Sequence, residues 1–272
     1  MSKVLVSKLP MVGALFWTIK IVATTLGESV SNYVSMAPLN MGYAASALIF
    51  LAAFVLTLTV QLRSDRFRPV VFWSVILTTS IVGTAMSDFM NRTAGLGYAV
   101  GATVLTTLLV LVLIGWRATG QTMDVERIAT TKGEILYWTA TLVSNTLGTS
   151  SGDFLSDGLG IGFRDSALVL GGAMLLILAA HYFSPISGTV LFWAAYVLTR
   201  PLGAVAENAV EKPVAQGGLG VGTTITSGAL LAVLAVLVGY QQLTHHERTI
   251  APDHAPRAAG QADQHPEAAP RW

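Results

Sequence analysis

Seven ionisable residues interrupt stretches of chain that are otherwise apolar: Lys20, Glu28, Asp88, Asp153, Arg200, Glu207 and Glu211. Carboxylates flanked by Asn, Ser and Thr can hold a proton or a hard cation, while Lys and Arg can pair with those carboxylates or set their affinity. In a bilayer an ionisable group costs at least about 2.5–3.5 kcal/mol at a helix centre, so each one implies a partner, a polar path or a site. The absence of cysteine removes thiolate metal sites and a thiol nucleophile, which leaves all-oxygen ligand sets suited to Mg, Mn, Ca or Na.

These residues share a register. Counted from Trp17, Trp73, Trp138 and Trp193, the polar positions fall 3, 7, 11, 14 or 15, and 18 residues on, the spacing of one helical face. They are Lys20, Thr24, Glu28, Ser31 with Asn32, and Ser35; Ile76, Ser80, Thr84, Ser87 with Asp88, and Asn91; Thr141, Asn145, Thr149, Asp153 and Ser156; and Tyr196, Arg200, Ala204, Glu207 with Asn208, and Glu211. Lipid cannot be what four such seams face. At about 1.5 Å per residue, Lys20 and Arg200 lie in the inner half of the membrane, Glu28 near its middle, and Asp88, Asp153, Glu207 and Glu211 in the outer half. The expected picture is an acidic outer funnel above two cations, with an Arg200–Glu28 ion pair if the first and last seams are neighbours.

The elements that must carry the seams follow from composition. The 272-residue chain is 53% hydrophobic and only 11% charged, with a mean hydropathy of +0.61, far from a soluble domain. Eight stretches are long enough to cross a bilayer: 13–35, 42–62, 70–90, 96–116, 134–156, 161–183, 187–210 and 218–240. No cleaved signal peptide is expected. With the N-terminus cytoplasmic, that side collects Lys3, Lys8, Arg63, Arg66, Arg68, Arg117, Arg127, Lys132, Arg248, Arg257 and Arg271, against Arg92, Arg164 and Lys212 opposite. Both termini are therefore expected inside. The net charge of +1 gives no reason to expect a nucleic-acid partner.

The four tryptophans also reveal a repeat. Each follows an aromatic residue (Phe16, Phe72, Tyr137, Phe192) and precedes by ten residues a glycine: Gly27, Gly83, Gly148 and Gly203. A second glycine signal comes later in each unit: Met41-Gly42-Tyr43, Gly95-Leu96-Gly97, Gly158-Leu159-Gly160 and Gly218-Leu219-Gly220. The expected fold is all-α: a polytopic membrane protein of eight transmembrane helices in four parallel-oriented helical-hairpin repeats. The repeats are 13–62, 70–116, 134–183 and 187–240, flanked by a cytoplasmic segment 1–12 and a disordered cytoplasmic tail 241–272 with His245, His246, His254 and His265. Odd helices should line an axis and even helices should face lipid. The glycines are expected to allow close helix approach and the tryptophans to anchor the headgroup interface.

On these Phe/Tyr-Trp pairs and the Trp-to-Gly spacing, about residues 10–240 resemble a family of bacterial inner-membrane proteins made of four tandem two-helix repeats, each with a characteristic tryptophan, known as a domain of unknown function. The resemblance implies an eight-span fold and no activity.

Function therefore rests on the residues. No histidine stands within a seam and no span carries a pair of zinc-ligand histidines, so no enzyme and no cofactor are expected. Asp88 with Asp153 could face each other as in an aspartyl protease, without other support. The favoured expectation is a small inner-membrane transporter of a cation, a divalent metal such as Mn among the candidates, coupled to protons. Glu28, Asp88, Asp153 and Glu207 would supply ligands or proton sites, the first three as the metal set. Asn32 and Asn145 would complete coordination, and Lys20 and Arg200 would form charge pairs. The partners are then the lipid bilayer and a small cation or proton, with a homo-oligomer left open. The alternative is a non-transporting structural or regulatory membrane protein whose polar seam only specifies helix assembly.

Overall fold

The computed structural model describes residues 9–250, with side chains as far as Thr244. Among the described residues there are eight long helices and no strand: α1 (Ala14–Ser35), α2 (Tyr43–Arg63), α3 (Pro69–Asp88), α4 (Tyr98–Ala118), α5 (Thr131–Asp153), α6 (Phe163–Phe183), α7 (Gly188–Glu211) and α8 (Thr223–Ile250). Six of them, α2, α3, α4, α6, α7 and α8, are long and apolar enough to cross a membrane. The other two, α1 and α5, are diluted by their own polar seams.

The odd helices pack in a closed ring, α1 on α3, α3 on α5, α5 on α7 and α7 back on α1. Like offsets from the four tryptophans meet at both ends of this ring, so the four helices run in the same direction. Even helices surround it. Only 6–22% of the apolar stretch of each even helix is buried, against 67% for α3 and 56% for α7, and residues such as Leu56, Leu111, Leu176 and Val236 point outward. That distribution matches an outer layer meant for lipid.

One expectation needs correction. The two helices of each repeat are joined by a short turn, but they are not each other's main partner. Instead α2 packs along α3, α4 along α5, α6 along α7, and α8 along α1. Each repeat lends its apolar helix to the next, and the last repeat lends it to the first, so the ring is closed twice, by the inner helices and by the outer ones.

The turns into the even helices also shift the register read from sequence. Gly42, Gly97, Gly162 and Gly222 immediately precede α2, α4, α6 and α8 with φ of 78°, 72°, 84° and 81°. A side chain at that φ is strained, which explains the glycine. The equivalents of Gly95-Leu96-Gly97 are therefore Gly160-Ile161-Gly162 and Gly220-Val221-Gly222, two residues later than the spacing suggested. Consequently α8 starts at Thr223, and it continues through Ile250, so residues 241–250 are helical rather than tail. Lys3, Lys8, Arg257, Arg271, His254 and His265 lie outside the described residues.

Candidate functional site

At the N-terminal end of the ring, the repeated aromatic pairs form a collar. Phe16 meets Trp73 at 5.6 Å between ring centroids, Phe72 meets Trp138 at 5.5 Å, Tyr137 meets Trp193 at 6.1 Å and Phe192 meets Trp17 at 5.6 Å. The aromatic residue of each repeat thus packs on the tryptophan of the next, at separations that suit edge and tilted stacking. Trp73, Trp138 and Trp193 are buried, so they close the ring instead of anchoring a headgroup interface. Inside the collar, Tyr196 Oη lies 3.1 Å from both Tyr137 Oη and Thr141 Oγ1, and Lys20 Nζ sits 3.9 Å from the Tyr196 ring centre. That ammonium is fully buried and has no hydrogen-bond partner.

One level up, the repeat glycines set the helix spacing. A Cβ on Gly27 would overlap the Ser80 side chain, one on Gly83 would reach 3.0 Å from the Asn145 backbone, and one on Gly148 would overlap Arg200. A Cβ on Gly203 would come to 3.0 Å from Thr24 Oγ1. Each glycine, ten residues after its tryptophan, therefore faces the residue seven after the next tryptophan. This is the small-residue packing by which helix backbones approach closely in membranes.

The same contacts carry the central charge pair. Arg200 Nη2 donates to Glu28 Oε2 at 2.8 Å, to Thr149 Oγ1 at 2.9 Å, to the Ser80 carbonyl at 3.4 Å and to Thr84 Oγ1. Thr84 and Thr149 donate in turn to Glu28 Oε2 at 3.0 and 3.2 Å. Glu28, Thr84 and Thr149 all stand eleven residues after their tryptophans, where the fourth repeat has Ala204; Arg200, one turn earlier, fills that gap. All four odd helices thus meet at one ion pair, and the Arg200–Glu28 pairing expected from the seams is present.

The acids at the C-terminal end of the ring are arranged differently from an open funnel. Asp88 and Asp153, both buried, end α3 and α5, and each is followed by a π-helical turn, Phe89–Thr93 and Phe154–Gly158. Such turns widen a helix locally and re-aim the residues within them. In the first, Arg92 turns back over the acids, with Nε 2.9 Å from Asp88 Oδ1 and Nη2 3.5 Å from Asp153 Oδ2. Its guanidinium carbon lies 5.9 and 5.7 Å from the Tyr43 and Tyr98 ring centres. Asp88 and Asp153 therefore share one arginine. Beside them Asn91 Nδ2 donates to Ser150 Oγ at 2.7 Å and to Ser87 Oγ at 3.2 Å.

Glu207 is fully buried and neither of its carboxylate oxygens has a hydrogen-bond donor. Glu211, one turn on, accepts from Thr223 Oγ1 at 2.5 Å and from Ser29 Oγ at 3.4 Å.

The ring thus brings Glu28 together with Arg200, and Asp88 together with Asp153. It does not gather Glu28, Asp88 and Asp153 around one point, and among the described residues no three His, Cys, Asp or Glu side chains converge to hold a metal ion. Asn145 is committed sideways, donating to Thr79 Oγ1 at 3.0 Å, and Asn32 is buried in its seam. Lys20 faces an aromatic ring, not a carboxylate. Two pockets, of about 540 and 390 Å³, lie away from the seams, one along α2 and one beside the α4–α5 connection.

Sequence reasoning missed Arg92, assigning it to an outer loop because it falls beyond the apolar stretch. Its signal was the spacing from Asp88, four residues, which on a helix places the two side chains in reach. The ionic residues also break the fourfold pattern: opposite Lys20 stand Ile76, Thr141 and Tyr196, and opposite Glu207 stand Ser31, Ser87 and Gly152.

No curated protein and no solved structure matches the chain. The sequence profile of one family matches it four times, at residues 15–67, 71–122, 136–187 and 191–247, each match beginning two residues before one of the repeat tryptophans. Four tandem matches over most of its length, in register with the ring of Trp-Gly units, mean that the chain belongs to the family described as Repeat of Unknown Function (DUF347).

Proposed function

We propose that the protein crosses a membrane with all eight helices, its four repeats entering in the same direction, and moves a small cation in exchange with protons along the inner ring. Two observations support the spans: α1 and α5 run beside α3 and α7, which are apolar enough to cross, and the even helices form a continuous apolar exterior. An inner bacterial membrane with both termini cytoplasmic fits the distribution of Lys and Arg in the sequence.

The observation that carries the transport reading is the set of buried ionisable groups at positions where the other repeats use neutral side chains. Lys20 and Glu207 are buried without hydrogen-bond partners, below and above a buried Arg200–Glu28 pair. Assembly alone is served by hydroxyls and glycines at much lower cost, because removing ions from water is repaid only by full pairing. Carboxylates that hold either protons or a cation link the two gradients. The cation is a hard one, bound by oxygen; the geometry gives no support to a three-carboxylate divalent site at Glu28, Asp88 and Asp153.

The assembly-only reading is favoured by one observation, the tight glycine contacts all round the ring. Flux of Na⁺, K⁺, Mn²⁺ and Ca²⁺ into proteoliposomes, with and without a pH gradient, separates the two. Transport requires flux for at least one ion that is lost in Glu28→Gln; assembly alone requires none for any.

A further inference from the structure

Beyond Arg200 and Ala204, the fourth repeat departs from the other three at two further positions one helical turn apart. Fourteen residues after the tryptophan it has Glu207 in place of Ser31, Ser87 and Gly152, and eighteen after it has Glu211 in place of Ser35, Asn91 and Ser156. A repeat that keeps its packing rule but replaces small neutral residues with two acids at one end is under a demand other than packing.

The surroundings describe that demand. Glu211 Oε1 accepts the Thr223 hydroxyl at 2.5 Å and its Oε2 accepts the Ser29 hydroxyl at 3.4 Å, while Ser29 Oγ lies 2.7 Å from Ser227 Oγ. Glu207 is fully buried, has no hydrogen-bond partner on either oxygen, and stands one helical turn before Glu211 on the same face of α7. Two buried carboxylates one turn apart on a helix do not both carry charge unless a proton or a cation is taken up beside them. Lys212, the residue after Glu211, brings one positive charge to this end of α7, and Glu28 is already neutralised by Arg200. One negative charge is left to be met by a proton or, in this all-oxygen set of carboxylates and hydroxyls, by a hard monovalent ion.

We propose that Glu207 and Glu211, with the hydroxyls of Ser29 and Thr223, form a binding site for one alkali cation of sodium's size where α7 meets α1 and α8. This rests on the transport reading above and gives its cation a place, off the ring axis and separate from the Arg200–Glu28 pair. One monovalent ion balances the site; a divalent ion leaves it with an excess positive charge in a low-dielectric surround.

The test is binding of ²²Na⁺ to the purified full chain in detergent by scintillation proximity, with unlabelled Na⁺, K⁺ and Mn²⁺ as competitors. Saturable binding of one ion per chain is expected, with affinity falling about tenfold or more in Glu207→Gln and in Glu211→Gln. The double variant Ser29→Ala with Thr223→Val keeps both carboxyls and should weaken binding severalfold, so the proposal stays testable if a Glu variant does not fold. No saturable Na⁺ binding, affinity unchanged in the folded variants, or Mn²⁺ displacing Na⁺ more effectively than Na⁺ itself would overturn it. Sodium binding without flux of any cation supports the site and contradicts transport. Flux with Na⁺ binding indifferent to all these substitutions contradicts the site and leaves transport standing.

Discussion

Arg200 and Glu28, 172 positions apart in the chain, are joined by a 2.8 Å charge-assisted hydrogen bond inside a ring of four helices. Both side chains are essentially inaccessible, and the hydroxyls of Thr84 and Thr149 bind both. One interaction thus reports on contacts from every repeat.

Breaking it should be costly and strongly non-additive. Removing one partner leaves the other buried and unpaired, a loss of about 3–5 kcal/mol in known buried pairs. Glu28→Ala and Arg200→Ala should each lower the unfolding midpoint sharply, and the double variant should lose less than the sum of the two. Thermal or denaturant unfolding of the purified chain measures the cycle; additive losses would mean that the pair is not a unit.

The glycine rule predicts a ranked series. Gly148→Ala drives a methyl into Arg200, and Gly83→Ala drives one against the Asn145 backbone, which cannot swing away. Overpacking of this kind costs about 1–3 kcal/mol. Gly115→Ala, in α4 with open space around it, should be neutral or stabilising by about 0.5–1 kcal/mol. Unfolding midpoints should follow that order, and Gly148→Ala should also reduce whatever activity depends on the ion pair.

Arg92 is expected to be the keystone of Asp88 and Asp153. Arg92→Gln removes the guanidinium shared by Asp88 and Asp153 and should destabilise the fold. Adding Asp153→Asn to that variant should recover part of the loss, since one of the two uncompensated carboxylates is then gone. No recovery in thermal unfolding would indicate that Arg92 acts through its contacts with Tyr43 and Tyr98 instead.

The collar makes a prediction about light emission. In a variant that keeps Trp138 alone, fluorescence should resist both an aqueous quencher and lipids brominated near the headgroup, because the ring is buried between Phe72 and Tyr137. Efficient quenching by headgroup-level bromine would restore the interface-anchor role that the sequence suggested.

The internal register was legible because a helix repeats its face every three or four residues: the four seams, the pairing of Arg200 with Glu28 and the close approach at Gly27, Gly83, Gly148 and Gly203 all follow from offsets after a tryptophan. Which helix packs on which was not. Nothing local distinguishes α2 lying on α1 from α2 lying on α3, since the choice is made by how the whole ring closes. Arg92 escaped for a related reason. A π turn after Asp88 returns it to the ring, and hydropathy sees only a charge beyond an apolar stretch. Glu211 was left out of the expected ligand set, since nothing local in the sequence shows that the start of α8 folds Thr223 over it.

Proton-coupled movement of a cation through the ring is tested most directly with a pH-sensitive dye sealed inside proteoliposomes containing the full chain. Adding the transported cation outside should change the internal pH for the wild type, and this response should vanish in folded Glu28→Gln and Glu207→Gln. No pH change and no isotope flux for any cation tested, with folded wild-type protein in the membrane, would contradict the account and leave the polar ring as an assembly device.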